Sequence, residues 1–158
     1  MLKPVQTKTL RAMKGTFAIV ASRYNARYVD AMVRAAVTEL RRAGAKVQIV
    51  RVPGAYEIPV VAKRLIELPD EISRSPLAGI ICLGVILRGE TVHAAHIGEA
   101  VSRALMDIQI ASGVPVIHEV LLLESKEQAR VRCLDRRHNR GMEAAQTALQ
   151  MARIMAAL

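Results

Sequence analysis

The sequence predicts an α/β fold: a four-stranded parallel sheet covered by helices on both faces, giving a three-layer α/β/α sandwich. Three observations predict it. Apolar runs and amphipathic runs alternate along the chain in the order βαβαβαβαα. The apolar runs are hydrophobic at successive positions rather than at every second one, the pattern of strands buried on both faces. The chain has 158 residues and is 52% apolar, enough for one core of ordinary size without disulfide or metal staples.

Each element follows from its residues. Residues 1–14 read as a flexible or strapped-on arm, and 15–158 as one α/β domain. TFAIVAS (16–22) is a compact apolar run and a buried strand. In RYVDAMVRAAVTELRRAG, Val29, Met32, Val33, Ala36, Val37 and Leu40 recur at helical spacing, and Gly44 supplies the stop. KVQIVRV (46–52) is the second strand. EIPVVAKRLIEL (57–68) is a helix with Pro59 in its first turn, where a missing N–H costs nothing. PDEISRSP (69–76) is a polar loop, and LAGIICLGVIL (77–87) a third strand. After RGETVH a long helix runs over 92–112 and ends before Gly113. VPVIHEVLLL (114–123) is the fourth strand, KEQARVRCL a short helix and GMEAAQTALQMARIMAAL a closing one.

Composition narrows the function. The formal charge is +9, with Lys3, Lys8, Arg11 and Lys14 in the first fourteen residues and a basic run in KEQARVRCLDRRHNR. Such charge permits nucleic-acid or acidic-surface binding and equally suits phosphorylated substrates, while a solvated surface accounts for most of it. The N-terminus lacks an apolar stretch of signal-peptide type, and no apolar run reaches the ~18 residues of a membrane helix. Cys82 and Cys133 form no CxxC, and Cys82 within an apolar run reads as a core residue. A reducing, cytoplasmic setting is expected.

The polar residues that stand out occupy the connections after the first three strands: Ser22-Arg23-Tyr24-Asn25, Pro53-Gly54-Ala55-Tyr56-Glu57 and Arg88-Gly89-Glu90-Thr91-Val92-His93. All are β-to-α connections, so all lie on one edge of a parallel sheet, where α/β proteins bind ligands. With only three Tyr, one Phe and no Trp in the chain, rings in two of these loops are notable. Tyr24 offers a stacking face, Asn25 a donor and an acceptor, Glu57 an acceptor near a helix start, and Gly89 to Thr91 a helix N-terminus suited to an anion. Taken singly, Tyr24 fits a partly buried ring, Asn25 a turn or cap, Glu57 a cap, RGET a turn with an N-cap Thr, and His93 a structural imidazole. Their joint placement favours a site. GxGxxG and GxxxxGK[ST] are both absent, so neither familiar nucleotide fold is expected. His93 and His96 stand three apart without a carboxylate or cysteine cluster, so no metal is expected.

Together, RYN after the first strand, VPGAYEIP after the second, GVILRGETVH after the third and EQARVRCLDRRHNRG near the end resemble the lumazine synthase family in order and spacing over about residues 15–156. The resemblance implies a flavodoxin-like sheet with strand order 2-1-3-4. It implies condensation of 5-amino-6-(D-ribitylamino)uracil with 3,4-dihydroxy-2-butanone 4-phosphate to 6,7-dimethyl-8-ribityllumazine, without cofactor. By position, Tyr24 stacks on the pyrimidine and Asn25 follows it; Ala55, Tyr56 and Glu57 hold the ribityl chain; Val85, Ile86 and Leu87 line the heterocycle, largely through backbone groups. Glu90 and Thr91 lie at the phosphate, Glu90 through its N–H with its side chain turned away. Arg132 matches the phosphate arginine, His93 the proton-transfer histidine, and Arg140 a position that often holds lysine. In the family the arginine and the residue matching His118 come from a neighbouring subunit of a pentamer. The resemblance thus implies a pentamer-based homo-oligomer, leaves room for a 60-subunit shell and for riboflavin synthase as a partner, and implies no membrane or specific nucleic-acid contact.

The sequence departs from the pattern at several places. Ala94 and Ala95 stand where an aromatic and an acid are usual, with His96 after them; His118 and Glu119 replace Phe-Gly; Leu134 and Arg137 replace small residues. Two other readings follow: an archaeal-type riboflavin synthase, against which VPGAYEIP and His93 argue, and a catalytically weak flavin- or lumazine-binding shell protein, which only the basic charge supports.

Overall fold

A computed structural model describes residues 3–6, 13–68 and 77–158. The chain runs β1 (Thr16–Ser22), α1 (Ala26–Arg42), β2 (Lys46–Val52), a 3-10 turn (Ala55–Glu57), α2 (Ile58–Glu67), β3 (Gly79–Leu87), α3 (His93–Ser112), β4 (Val116–Leu123), α4 (Lys126–Ala129), a π-helical turn (Arg130–Leu134) and α5 (Arg140–Ala157). The four strands form one parallel sheet in the order β2-β1-β3-β4, as expected. The loop expected at 69–76 and most of the arm expected at 1–14 lie outside the described residues. At residues 3–6, the Val5 N–H donates to Arg137 O (2.6 Å) and Gln146 Nε2 to Gln6 O (3.1 Å), which straps this stretch to the closing segment.

Side-chain alternation sorts the core into two halves. Phe17, Ile19 and Ala21 of β1, with Ile81 and Leu83 of β3, pack against α1 and α5. Ala18 and Val20, with Ile80 and Cys82, face the other way against α2 and α3. β1 and the first part of β3 are therefore buried on both faces. The edge strands differ from that expectation: in β2, Gln48 and Ile49 are exposed, and in β4, His118 and Leu122 are. A helix layer covers the middle of a sheet more fully than its margins.

Local chemistry sets the boundaries. Gly44, at φ 82°, accepts the left-handed backbone after α1, and Gly113, at φ 69°, does so after α3. β4 starts two residues later than expected because Pro115 has no N–H and the Val114 N–H is taken by Ser112 Oγ (3.1 Å). β3 likewise starts at Gly79, although the Ala78 N–H already donates to Thr16 O (2.8 Å). Asn139 caps α5, its Oδ1 accepting from the N–H groups of Gly141 (2.9 Å) and Met142 (3.3 Å).

Strand order 2-1-3-4 places a topological switch between β1 and β3. The connection leaving β1 goes outward to β2, and the next crosses back to β3, so the loops part at the carboxyl ends of the two central strands and leave a crevice there.

Candidate active site

A cavity of about 830 Å³ occupies that crevice. Every residue expected from the first two loops lines it: Tyr24 and Asn25 after β1, then Ala55, Tyr56 and Glu57 after β2. Val85, Ile86 and Leu87 form its wall from the end of β3, and His93 enters from the first turn of α3. Gly54, His96, Ile97 and Ala100 complete the lining. Sequence reading noted Gly54 and His96 without assigning them to the site. The helical spacing of His93, His96 and Ala100 was the available signal, since residues three or four apart share a helix face.

The loops brace one another. Asn25 sits in the left-handed region at φ 56°, which asparagine tolerates better than most residues, and its Nδ2 donates to Val85 O (2.7 Å). That bond ties the β1 loop to the end of β3. Glu57 Oε2 accepts from the Gly54 N–H (2.9 Å), closing the 3-10 turn on itself. Its second carboxylate oxygen remains an acceptor for a ligand. From β2, Arg51 reaches Asp30 Oδ1 (2.6 Å) and Ser22 O (2.8 Å), pinning the end of β1 to α1. The rings are not buried: Tyr24 is 71% exposed and Tyr56 65% exposed in the single chain.

The remaining expected residues do not line this cavity. Glu90 and Thr91 are exposed at its rim; Thr91 Oγ1 accepts from the His93 N–H (3.4 Å), so the threonine serves the start of α3. Arg132 lies in the π-helical turn. Arg140 pairs with Glu143 at the start of α5. The Glu119 carboxyl nearby is pushed up to about 7, chiefly by burial, with Glu143 adding to the rise and Arg140 opposing it. His118 points from β4 toward α3, where Nε2 meets Ser102 Oγ (2.7 Å) and Nδ1 accepts from the Val120 N–H (3.3 Å). A neutral ring accepting at Nδ1 carries its proton on Nε2, and Ser102 in turn donates to Gly98 O (2.8 Å). The histidine therefore donates to the serine, and the pair is not an activated nucleophile. Burial holds the His118 imidazole below the usual histidine range.

Both cysteines are free and buried, and burial raises both thiols, so neither is poised as a nucleophile. Among the described residues no His, Cys, Asp and Glu cluster could hold a metal ion, and no helix is long and apolar enough to cross a membrane.

Fold and cavity together define an α/β protein with a small-molecule site at the carboxyl edge of a parallel sheet, walled by two tyrosines, a carboxylate and imidazoles. Residues 14–156 match the family model described as 6,7-dimethyl-8-ribityllumazine synthase. A protein of that name from Xanthomonas campestris pv. campestris (strain B100) is 38% identical over 149 residues, 92% of this chain and 93% of its own. Namesakes from Xylella fastidiosa (strain 9a5c) and Stenotrophomonas maltophilia (strain R551-3) are 38% and 39% identical, covering 92% and 88% of this chain and 93% and 88% of theirs. The chain belongs to the 6,7-dimethyl-8-ribityllumazine synthase family.

Proposed function

We propose that the protein is a transferase of riboflavin biosynthesis. It condenses 5-amino-6-(D-ribitylamino)uracil with 3,4-dihydroxy-2-butanone 4-phosphate to 6,7-dimethyl-8-ribityllumazine, releasing phosphate and water. The observation that carries this reading is the meeting of Tyr24, Tyr56, Glu57, the Val85–Leu87 segment and His93 around one cavity, in a chain of this family.

The chemistry asks for little beyond these groups. The substrate's own amine attacks the ketone, so no serine or cysteine nucleophile is required. Tyr24 stacks on the pyrimidine, the Val85–Leu87 wall bounds it, and the free oxygen of Glu57 accepts from ribityl hydroxyls. His93 moves the protons as water leaves, phosphate is eliminated and the ring closes. The phosphate sits at the N-terminus of α3, where backbone N–H groups of the Gly89–Thr91 segment and the helix dipole favour an anion. Arg132 completes that subsite by a guanidinium fork. Holding both substrates in register supplies much of the rate. No cofactor is required by this scheme.

Arg132, His118 and Arg140 reach a cavity only if another copy brings them, so the working form is a homo-oligomer, with a ring of five as the reading carried over from the family. Val60, Val92 and Ile110 are exposed in the single chain and are available to such contacts. A cytoplasmic location and hand-over of product to riboflavin synthase belong to the same reading.

The test is direct. Purified protein mixed with both substrates should form lumazine saturably above the spontaneous reaction, and His93→Ala should lower kcat about 100-fold or more while the variant stays folded. A wild-type rate equal to background, with lumazine still bound, would favour a binding protein that has lost the chemistry.

A further inference from the structure

We infer that His96 is a second catalytic residue, a proton carrier that works beside His93. The inference rests on the function proposed above. His93 and His96 are one turn apart on α3, so their Cβ atoms are about 5–6 Å apart on one face, and both line the cavity. Ala94 and Ala95, between them, have no proton to exchange, and Ala94 is buried. One oxygen of the cavity's acid is engaged: Glu57 Oε2 accepts from the Gly54 N–H. Glu90 is outside the lining. Glu57, the carboxylate of the lining, comes from the β2 loop and is tied to the Gly54 N–H, whereas the His96 imidazole stands one turn from His93 on the same helix face and is the neighbouring group that can take over its proton.

His96 has a second exposure that His93 lacks. It also lines a depression on the outer side of α3, together with Glu99, Arg103 and Asp107, while His93 does not. In the single chain it thus joins the cavity to a surface depression that carries charged residues. Among the described residues no side-chain hydrogen bond or ion pair fixes either imidazole, so both rings are free to accept and donate. Across the cavity the titratable groups are Tyr24, Tyr56 and Glu57. From the sheet, His118 faces α3 but is tied to Ser102, and on the helix itself Glu99 pairs with Arg103.

The reaction calls for proton transfers in both directions: protons leave the attacking amine and the carbon beside the imine, and protons join the departing water. His93 receives a proton from the substrate and passes it to His96, directly or through one water. His96 releases it at the outer depression or returns it for the dehydration, so neither imidazole holds a net charge at the end of the cycle.

The experiment measures kcat against pH for wild type, His96→Asn, His96→Gln and His93→Asn, with lumazine binding followed by fluorescence. We expect the His96 variants to keep their affinity for lumazine and their KM for the pyrimidine within about threefold. We expect kcat to fall about tenfold or more, one ionisation to vanish from the kcat profile, and added imidazole to restore part of the rate. Either a kcat within twofold of wild type, or a loss with an unchanged pH profile and no imidazole rescue, would make His96 a wall residue and overturn the role. A wild-type rate no faster than the spontaneous reaction would instead sink the proposed function itself, and this role with it.

Discussion

A Cβ on Gly54 would lie 2.9 Å from Glu57 Oε2 and 3.0 Å from Tyr24 Cδ2. The contact explains the glycine in VPGAYEIP. The glycine lets the Tyr24 ring approach the backbone closely, and the same residue's N–H orients Glu57, so one position sets both a stacking face and an acceptor. Glu119 shows the opposite situation, a group whose surroundings oppose its charge. Its carboxyl is pushed up to about 7, so between the ordinary carboxylate range near 4.3 and pH 7 the folded chain holds a proton that the unfolded chain has released. The native state then binds more protons, and stability falls as pH rises through that window. Glu119→Gln should therefore match wild type near pH 4.5 and be more stable at pH 8, by an amount on the order of 2 kcal/mol after allowing for partial exposure. Thermal melts at the two pH values check this, and an equal gap at both would mean that burial does not hold the proton on Glu119.

At the scale of elements, Gly141 of α5 makes the closest backbone approach of any glycine, to Met32 of α1. A Cβ on Gly141 would lie 2.0 Å from Met32 O and 2.6 Å from Met32 Cα, and backbone atoms cannot turn aside as a side chain can. Gly141→Ala should cost about 3 kcal/mol or more, read as a fall in Tm of roughly 6–12 °C for a chain of this size; an unchanged melting curve would show that the two helices slide apart freely. That contact was not legible beforehand, because sequence spacing says which face of a helix is apolar and not how closely two backbones approach. Two strands were legible, β1 from its continuous apolar run TFAIVAS and β2 from the β-branched residues of KVQIVRV, and they fall at 16–22 and 46–52 as predicted. KEQARVRCL was predicted as one short helix, but after α4 it widens, with the Asp135 N–H reaching back to Arg130 O (3.2 Å). Nothing in its residue types marks a five-residue repeat. Within the site, the loop residues were legible because β-to-α connections of a parallel sheet share one edge. His96, Ile97 and Ala100 were not assigned, since the face that α3 turns to the cavity depends on how the helix packs against the 3-10 turn and β4.

At the scale of the whole molecule, the residues that the proposed reaction uses divide between two places on one chain. His93 lines the cavity, whereas Arg132 lies in the π-helical turn after α4 and does not. If the two act at one site, the sites form between copies arranged head to tail, and each copy lends its arginine to a neighbour's cavity. That arrangement makes a prediction no within-chain site shares. His93→Ala and Arg132→Ala oligomers should each be nearly inactive alone. Dissociated, mixed in equal amounts and reassembled, they should regain activity. A site works only when the Arg132→Ala chain supplies the cavity and the His93→Ala chain supplies the arginine, which random mixing around a ring gives at roughly a quarter of sites. Recovery near that fraction, with none on mixing either variant with itself, would place Arg132 across the interface. No recovery, despite mass-spectrometric proof of mixed oligomers, would place Arg132 outside its neighbour's site and leave the phosphate to the backbone N–H groups at the start of α3.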